Sequence, residues 1–147
     1  MSAHAVARLF GILVLAASLC APVVSCMDVG DDDDKGHFCV DITQPDENAT
    51  GVAVDSFRAV VITFGADVDP QTVTRNTFTV RDSNGQALEG DVWAGGVTAE
   101  FRLPDKVYSS KNTTYTVHLS GSITDIYGRS LAECEGGDFE YSFTTGG

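Results

Sequence analysis

The sequence predicts an all-β protein in which about seven short strands form an antiparallel β-sandwich. Three observations lead to this fold class. Strand-like runs recur at roughly 8–12-residue intervals, with turn residues between them. The dipeptide Asn84-Gly85, in which both residues tolerate a positive φ, is the strongest hairpin signal in the chain. No segment after residue 27 shows a sustained helical period.

The centre of the predicted domain is the stretch Gly51–Asp82, which contains two strand-like runs. The run Phe57–Phe64 is apolar on both faces, a pattern that predicts a strand covered on both sides. In Thr77–Asp82, Phe78 and Val80 alternate with polar residues, as in a strand with one face in water. Because two strands cannot bury themselves, the rest of the chain must supply the second layer of a sandwich.

The same alternation predicts the remaining strands. Asn84-Gly85 is expected to join Thr77–Asp82 to the next strand as a hairpin, and Gly95-Gly96 is expected to make a second tight turn. In the strand after that turn, Val97 is the first of the residues expected to point inward. These further strands are Cys39–Thr43, Gln86–Ala94, Val97–Leu103, Thr114–Ser120 and Asp138–Thr145, with Gly51–Val54 as a short edge candidate.

Residues 1–25 have the pattern of a secretory signal peptide. Arg8 precedes the apolar run Leu9–Ala17, which is too short to remain as a membrane-spanning helix. The peptide ends in Val23-Val24-Ser25-Cys26, which resembles a bacterial lipobox. The resemblance implies cleavage before Cys26 and a lipid on its thiol, so that acyl chains fix the protein to a membrane. The alternative is an ordinary secretory cleavage nearby, which would leave Cys26 as a thiol.

Residues 26–38 are predicted to form an acidic tether between the anchor and a domain at 39–147. The segment contains a run of aspartates with glycines and no periodicity, and like charges extend such a linker. Loss of residues 1–25, whose only charged side chain is Arg8, changes the net charge from −12 to −13. A chain this acidic repels nucleic acid and anionic membrane surfaces, so neither is an expected partner.

The cysteines predict one disulfide. Cys20 leaves with the signal peptide and Cys26 carries the lipid, so Cys39 and Cys134 remain as an even pair in an exported protein. A bond between them would join the entry of the domain to its last strand. The alternative is two separate thiols, which an oxidising compartment disfavours.

Few residues have the types and spacing that catalysis requires. No nucleophile elbow, phosphate-binding loop or zinc spacing occurs, and His118 is expected on the polar face of a strand. The prediction is therefore a protein that is not an enzyme and uses no cofactor. Asp67, Asp69 and Asp82 are candidates for a calcium site if their loops meet. The alternative is that Asp69 caps a turn and Asp82 shapes the hairpin.

Trp93 is the candidate ligand contact. It lies beside the Gly95-Gly96 turn, in a strand where Val92 is the better candidate to face inward. An outward tryptophan on a sheet offers a platform for a sugar ring or a protein contact. The alternative is that Trp93 is the core tryptophan of the sandwich.

Five segments in the same order resemble the bacterial Ig-like domain of the SbsA type. They are Ala49–Asp55, Val60–Phe64, Asp67–Val80, Thr114–Ala132 and Phe139–Thr145, and the likeness covers about residues 44–145. The resemblance implies an Ig-like antiparallel sandwich of the kind found in bacterial surface, S-layer and secreted proteins. It brings no catalytic residues.

Together these observations predict a non-catalytic Ig-like domain, lipid-anchored at the bacterial cell envelope, at the outer membrane or the cell surface. Its expected role is structural or adhesive. The alternative functions are a module that binds carbohydrate or another envelope protein and, with less support, a calcium-binding domain.

Overall fold

The computed structural model describes residues 36–54, 58–104 and 110–147. The predicted signal peptide, Cys26 and the tether as far as Lys35 lie outside the described residues. The first residue of the predicted strand Phe57–Phe64 lies outside them as well.

Seven strands and one short helix make up the described part of the domain. The chain order is β1 (Val40–Gln44), β2 (Ala59–Phe64), β3 (Phe78–Arg81), β4 (Asp91–Gly95), β5 (Thr98–Arg102), β6 (Thr114–Leu119), α1 (Leu131–Glu135) and β7 (Phe139–Thr144).

The strands form two sheets, ordered β1-β2-β5-β4 and β3-β6-β7, and every strand pair in them is antiparallel. The inner face of β2 contributes Val60, Ile62 and Phe64 to the core, and all three are buried. From the other sheet, Phe78 meets Phe101 with ring centroids 5.9 Å apart. The all-β antiparallel sandwich predicted from the sequence is confirmed.

The prediction that β2 is covered on both sides is wrong. Its burial alternates, with Ala59, Val61 and Thr63 only half-buried on the outer face of the four-stranded sheet. These small or branched side chains are flanked by the neighbouring strands β1 and β5, both of which pair with β2. An apolar outer face therefore does not require a second covering layer.

The predicted hairpin at Asn84-Gly85 forms only locally. The Asp82 carboxylate accepts hydrogen bonds from the backbone N–H groups of Asn84 and Gln86, each at 2.9 Å, and so shapes the turn. The returning segment pairs with β3 as far as Leu88, whose N–H donates to Val80 O. It then crosses to the other sheet, so β4 starts at Asp91 and the predicted strand Gln86–Ala94 is too long at its beginning.

Gly90 makes that crossing possible. A Cβ added to it would lie 2.5 Å from the Phe101 ring and 2.7 Å from Arg102 O. The chain therefore passes from one sheet to the other at Gly90, because glycine has no side chain that would collide with these groups.

Two residues lie elsewhere than expected. Phe38, assigned from sequence to the tether, is buried in the core and stacks on Phe64 with ring centroids 5.0 Å apart. Val97, expected to point inward, is 40% exposed because it lies in the turn between β4 and β5.

Candidate functional site

The Cys39–Cys134 disulfide predicted from the cysteine count is present, with a Cα–Cα distance of 5.5 Å. It joins the residue before β1 to the short helix α1. A hydrogen bond from Val40 N to Glu135 Oε1, at 3.0 Å, strengthens the same connection. The disulfide therefore links the first strand of one sheet to the segment that leads into the last strand of the other.

The helix that carries Cys134 was not expected from the sequence, although its capping residues were visible. Glu133 Oε1 accepts hydrogen bonds from Ser130 N at 3.3 Å and from Ser130 Oγ at 3.2 Å. Gly136, with φ of 77°, ends the helix in the left-handed conformation. The Ser-x-x-Glu spacing and the following glycine would have located it.

A buried carboxylate organises the long connection between β6 and α1. Asp125 is 1% exposed and accepts hydrogen bonds from the N–H groups of Tyr127 and Arg129, each at 2.9 Å. Its other oxygen pairs with Arg129 Nε at 2.6 Å. Burial alone would raise the pKa of Asp125, but the hydrogen bonds from Arg129 and Tyr127 outweigh it and hold the pKa below its usual value. Arg129 also donates to Gly36 O at 2.7 Å, which ties this turn to the start of the domain.

His118 lies on the outer face of its sheet, as predicted, and its Nε2 is 3.2 Å from Asp138 Oδ2. The hydrogen bond from Gly121 N, and then the contact with His118, lower the pKa of Asp138. Sequence reasoning did not find this pair. Within the described residues no hydroxyl or thiol is hydrogen-bonded to the His118 ring, so the pair lacks the nucleophile of a catalytic triad.

The three aspartates considered for calcium have separate local roles. Asp69 Oδ1 accepts from Gln71 N at 2.9 Å, Asp82 shapes the β3 turn, and the backbone carbonyl of Asp67 accepts from Ile126 N. Among the residues that the structure describes, one group of three potential ligand atoms lies within 4.8 Å of one another, and it consists of Cys39, Cys134 and Glu135. Its two sulfurs are bonded to each other, so that group does not offer thiolates to a metal.

Of the cavities bordered by described residues, two on the domain surface have volumes of about 340 and 360 Å³. The first is bordered by Arg75, Asp91 and Phe101, and Arg75 is already paired with Asp91. The second lies beside the disulfide and is bordered by Arg129, which is engaged by Asp125. At each cavity, the arginine is already engaged in an ion pair with an aspartate.

Trp93 lies on the outer face of the four-stranded sheet and is 52% exposed. Val92 packs against the core, so the alternation of a strand turns Trp93 outward and excludes the alternative of a core tryptophan. The indole lies over Gly95, where an added Cβ would be 2.9 Å from its Cζ2. Its cross-strand neighbour Glu100 pairs with Arg102 at 2.7 Å. The arrangement combines an aromatic surface with charged hydrogen-bonding groups.

The chain belongs to the bacterial Ig-like domain family, because that family's model, described as a bacterial Ig-like domain, matches residues 34–145. Among curated protein sequences, none matches the chain significantly. Within the described residues, no helix has the length and apolar character needed to cross a bilayer.

Two solved structures resemble the domain. CopC from Methylosinus trichosporium OB3b is 17% identical with a TM-score of 0.58, and the match covers 75% of this chain and 94% of that one. The N-terminal part of the bacterial S-layer protein SbsC is 20% identical with a TM-score of 0.52, over 74% of this chain. The match covers only 23% of the SbsC chain. At these identities the likeness establishes the Ig-like fold.

Proposed function

We propose that this protein is a non-catalytic Ig-like domain, exported and anchored to the bacterial cell envelope by a lipid on Cys26, with a structural or adhesive role there. The observation that carries the proposal is the lipobox-like Val23-Val24-Ser25-Cys26, placed directly after an apolar signal segment. The Cys39–Cys134 disulfide supports it, since such bonds persist in oxidising compartments outside the cytoplasm.

The structural role is supported by the chemistry of the described residues. Asp125 pairs with Arg129 and fixes a turn, and His118 pairs with Asp138. The resemblance of the sequence to bacterial Ig-like domains implies no catalytic residues. An acidic tether before the domain would hold it away from the membrane surface through mutual repulsion of its aspartates. The domain would then present its loops and outer faces to neighbouring molecules of the envelope.

Replacement of Cys26 tests the anchor. In the native host, Cys26→Ala should move the protein from the membrane fraction to a soluble fraction, because the thiol that accepts the lipid is lost. Cys20→Ala is the matched control, since that cysteine lies within the predicted signal peptide and should leave the distribution unchanged. Equal membrane association of both variants, measured by fractionation and immunoblotting, would contradict the lipid-anchor proposal.

Trp93 favours a second candidate function, a module that binds carbohydrate. An exposed indole beside the Glu100–Arg102 pair offers both a stacking surface and hydrogen-bonding groups for a sugar. Binding to a glycan array that Trp93→Ala abolishes would support it. The control is Ile42→Ala, at the opposite edge strand of the same sheet, which is 54% exposed and should retain binding. An array with no signal for the unmodified protein would reject this second function.

A further inference from the structure

Strand β4 is an open edge of the four-stranded sheet. Among the described residues, its only neighbouring strand is β5. The backbone N–H of Phe64 donates to Val97 O at 2.8 Å, which shows that odd-numbered positions along β5 bond to β2. Even-numbered positions of β5 therefore bond to their β4 partners, Asp91, Trp93 and Gly95. The N–H and C=O groups of Val92 and Ala94 consequently point away from the sheet.

The other sheet edges in the described part of the chain are either covered by another segment or irregular. The β7 edge bonds to the segment between β1 and β2, with Thr144 N donating to Ala49 O and Val52 N to Thr144 O. The β3 edge is covered at Leu88, whose N–H donates to Val80 O. The β1 edge has a bulge between Val40 and Ile42, which disturbs regular pairing.

Strand β4 carries few of the features that usually protect an edge. It contains neither lysine nor proline, and its single charge, Asp91, is neutralised by an ion pair with Arg75. Trp93 adds an exposed aromatic surface at the centre of the strand. A regular strand of this kind is able to accept a further strand.

We propose that the β4 edge pairs with β4 of a second copy of this chain, antiparallel and centred on Trp93, so that the two sheets become one. In this register Val92 exchanges both backbone hydrogen bonds with Ala94 of the second copy, and the reverse pair does the same. The two Trp93 side chains lie directly opposite each other, in a pair without hydrogen bonds, where side chains approach most closely.

Charge and geometry select this register. Asp91 lies opposite Gly95 of the second copy, so the two Asp91 carboxylates are kept apart. Moving the centre of the pairing from Trp93 to Val92 would bring Gly90 into the new strand pair, and Gly90 is buried against Phe101. Moving the centre to Ala94 would bring in Gly96, whose φ of 56° is that of a turn residue and not of a strand residue. Centring on Trp93 is therefore the register in which all five residues of β4 pair.

The inference does not depend on the lipid anchor, because it rests on β4 alone. Each chain has a net charge of −12 over the full sequence, so two copies repel each other. Added salt screens that repulsion, and we expect the dimer to tighten as ionic strength rises. An interface held mainly by salt bridges would weaken instead.

Sedimentation of the intact chain, purified as its host makes it, tests the dimer. The unmodified protein should show a monomer–dimer equilibrium, and Ala94→Pro should raise the dimer dissociation constant by at least about tenfold, because it removes the outward N–H of both copies. The substitution leaves the β4–β5 bonds intact, and circular dichroism should confirm that the fold is kept. Trp93→Lys, at a position on the outer face of the sheet that is 52% exposed, should weaken the dimer as well. A chain that is monomeric at every concentration, or a dimer that both variants leave unchanged, overturns the proposal.

Cysteine crosslinking tests the register. Trp93→Cys should give a disulfide-linked dimer under mild oxidation, since the two positions face each other across the two-fold axis. Asp91→Cys is the matched control, because in this register the two copies of residue 91 lie roughly 13 Å apart, too far to be bridged. Equal crosslinking of the two variants, or crosslinking of Asp91→Cys alone, contradicts the register.

Discussion

Replacing Cys39 and Cys134 together by serine should lower the free energy of unfolding by about 3 to 5 kcal/mol, the range expected when a bond that closes a long loop is lost. The disulfide joins two residues that are 95 positions apart in sequence. Its removal therefore restores much conformational freedom to the unfolded chain. For a domain of this size the melting temperature should fall by roughly 10 to 20 °C. Serine is suited to both positions, since Cys134 is exposed and Cys39 half-buried.

Urea unfolding in the presence and absence of a reducing agent measures this effect. The reduced unmodified protein should resemble the double variant, and the double variant should not respond to the reducing agent. A difference of less than about 1 kcal/mol between oxidised and reduced protein would show that the disulfide does not stabilise the fold by constraining the unfolded chain.

Asp125→Ala should lower the free energy of unfolding by about 2 to 4 kcal/mol. The substitution removes the acceptor that the Arg129 side chain shares with two backbone N–H groups. The carboxylate is almost fully buried, so water replaces it poorly. The loss should be measured by thermal or urea unfolding. Asp138→Asn is the matched control: Asp138 also accepts a backbone hydrogen bond, but its side chain is 57% exposed, and its replacement should have a much smaller effect.

The same carboxylate should make stability depend on pH. Its folded pKa lies below the unfolded value of about 3.9, so its stabilisation is complete above that value and is lost as the pH falls through the folded pKa. Asp125→Ala should therefore flatten the acid limb of a stability-against-pH curve. If the variant and the unmodified protein lose stability in parallel between pH 5 and pH 2, Asp125 is not the group responsible.

The strands and the disulfide were predictable because each depends on a local or countable pattern. Alternation of apolar and polar residues located β6 and β7, and the even cysteine pair located the bond between Cys39 and Cys134. The outward direction of Trp93 was predictable only in part. The sequence made Val92 the better candidate to face inward, but both residues are apolar, so a core tryptophan stayed open as the alternative.

The crossing after Asn84-Gly85 could not be predicted, because a turn sequence determines how the chain reverses but not which sheet it joins next. The chain stops pairing with β3 after Leu88. Its passage to the other sheet depends on the fit of Gly90 against Phe101, a tertiary contact that no local sequence pattern reveals. The role of Asp125 was hidden for a similar reason. The run Asp125-Ile126-Tyr127-Gly128 has the composition of a solvent-exposed turn, and only the fold buries its aspartate beside Arg129.

The lipid on Cys26 and the Cys39–Cys134 bond can be tested together by intact mass spectrometry of the protein purified from the membrane fraction of its own host. We expect a chain that begins at Cys26, is heavier than its sequence by an attached lipid, and is lighter by two hydrogen atoms for the Cys39–Cys134 bond. An unlipidated chain recovered from the medium would contradict the anchor and leave a small secreted Ig-like domain. A chain with free thiols at residues 39 and 134 would contradict the oxidising location.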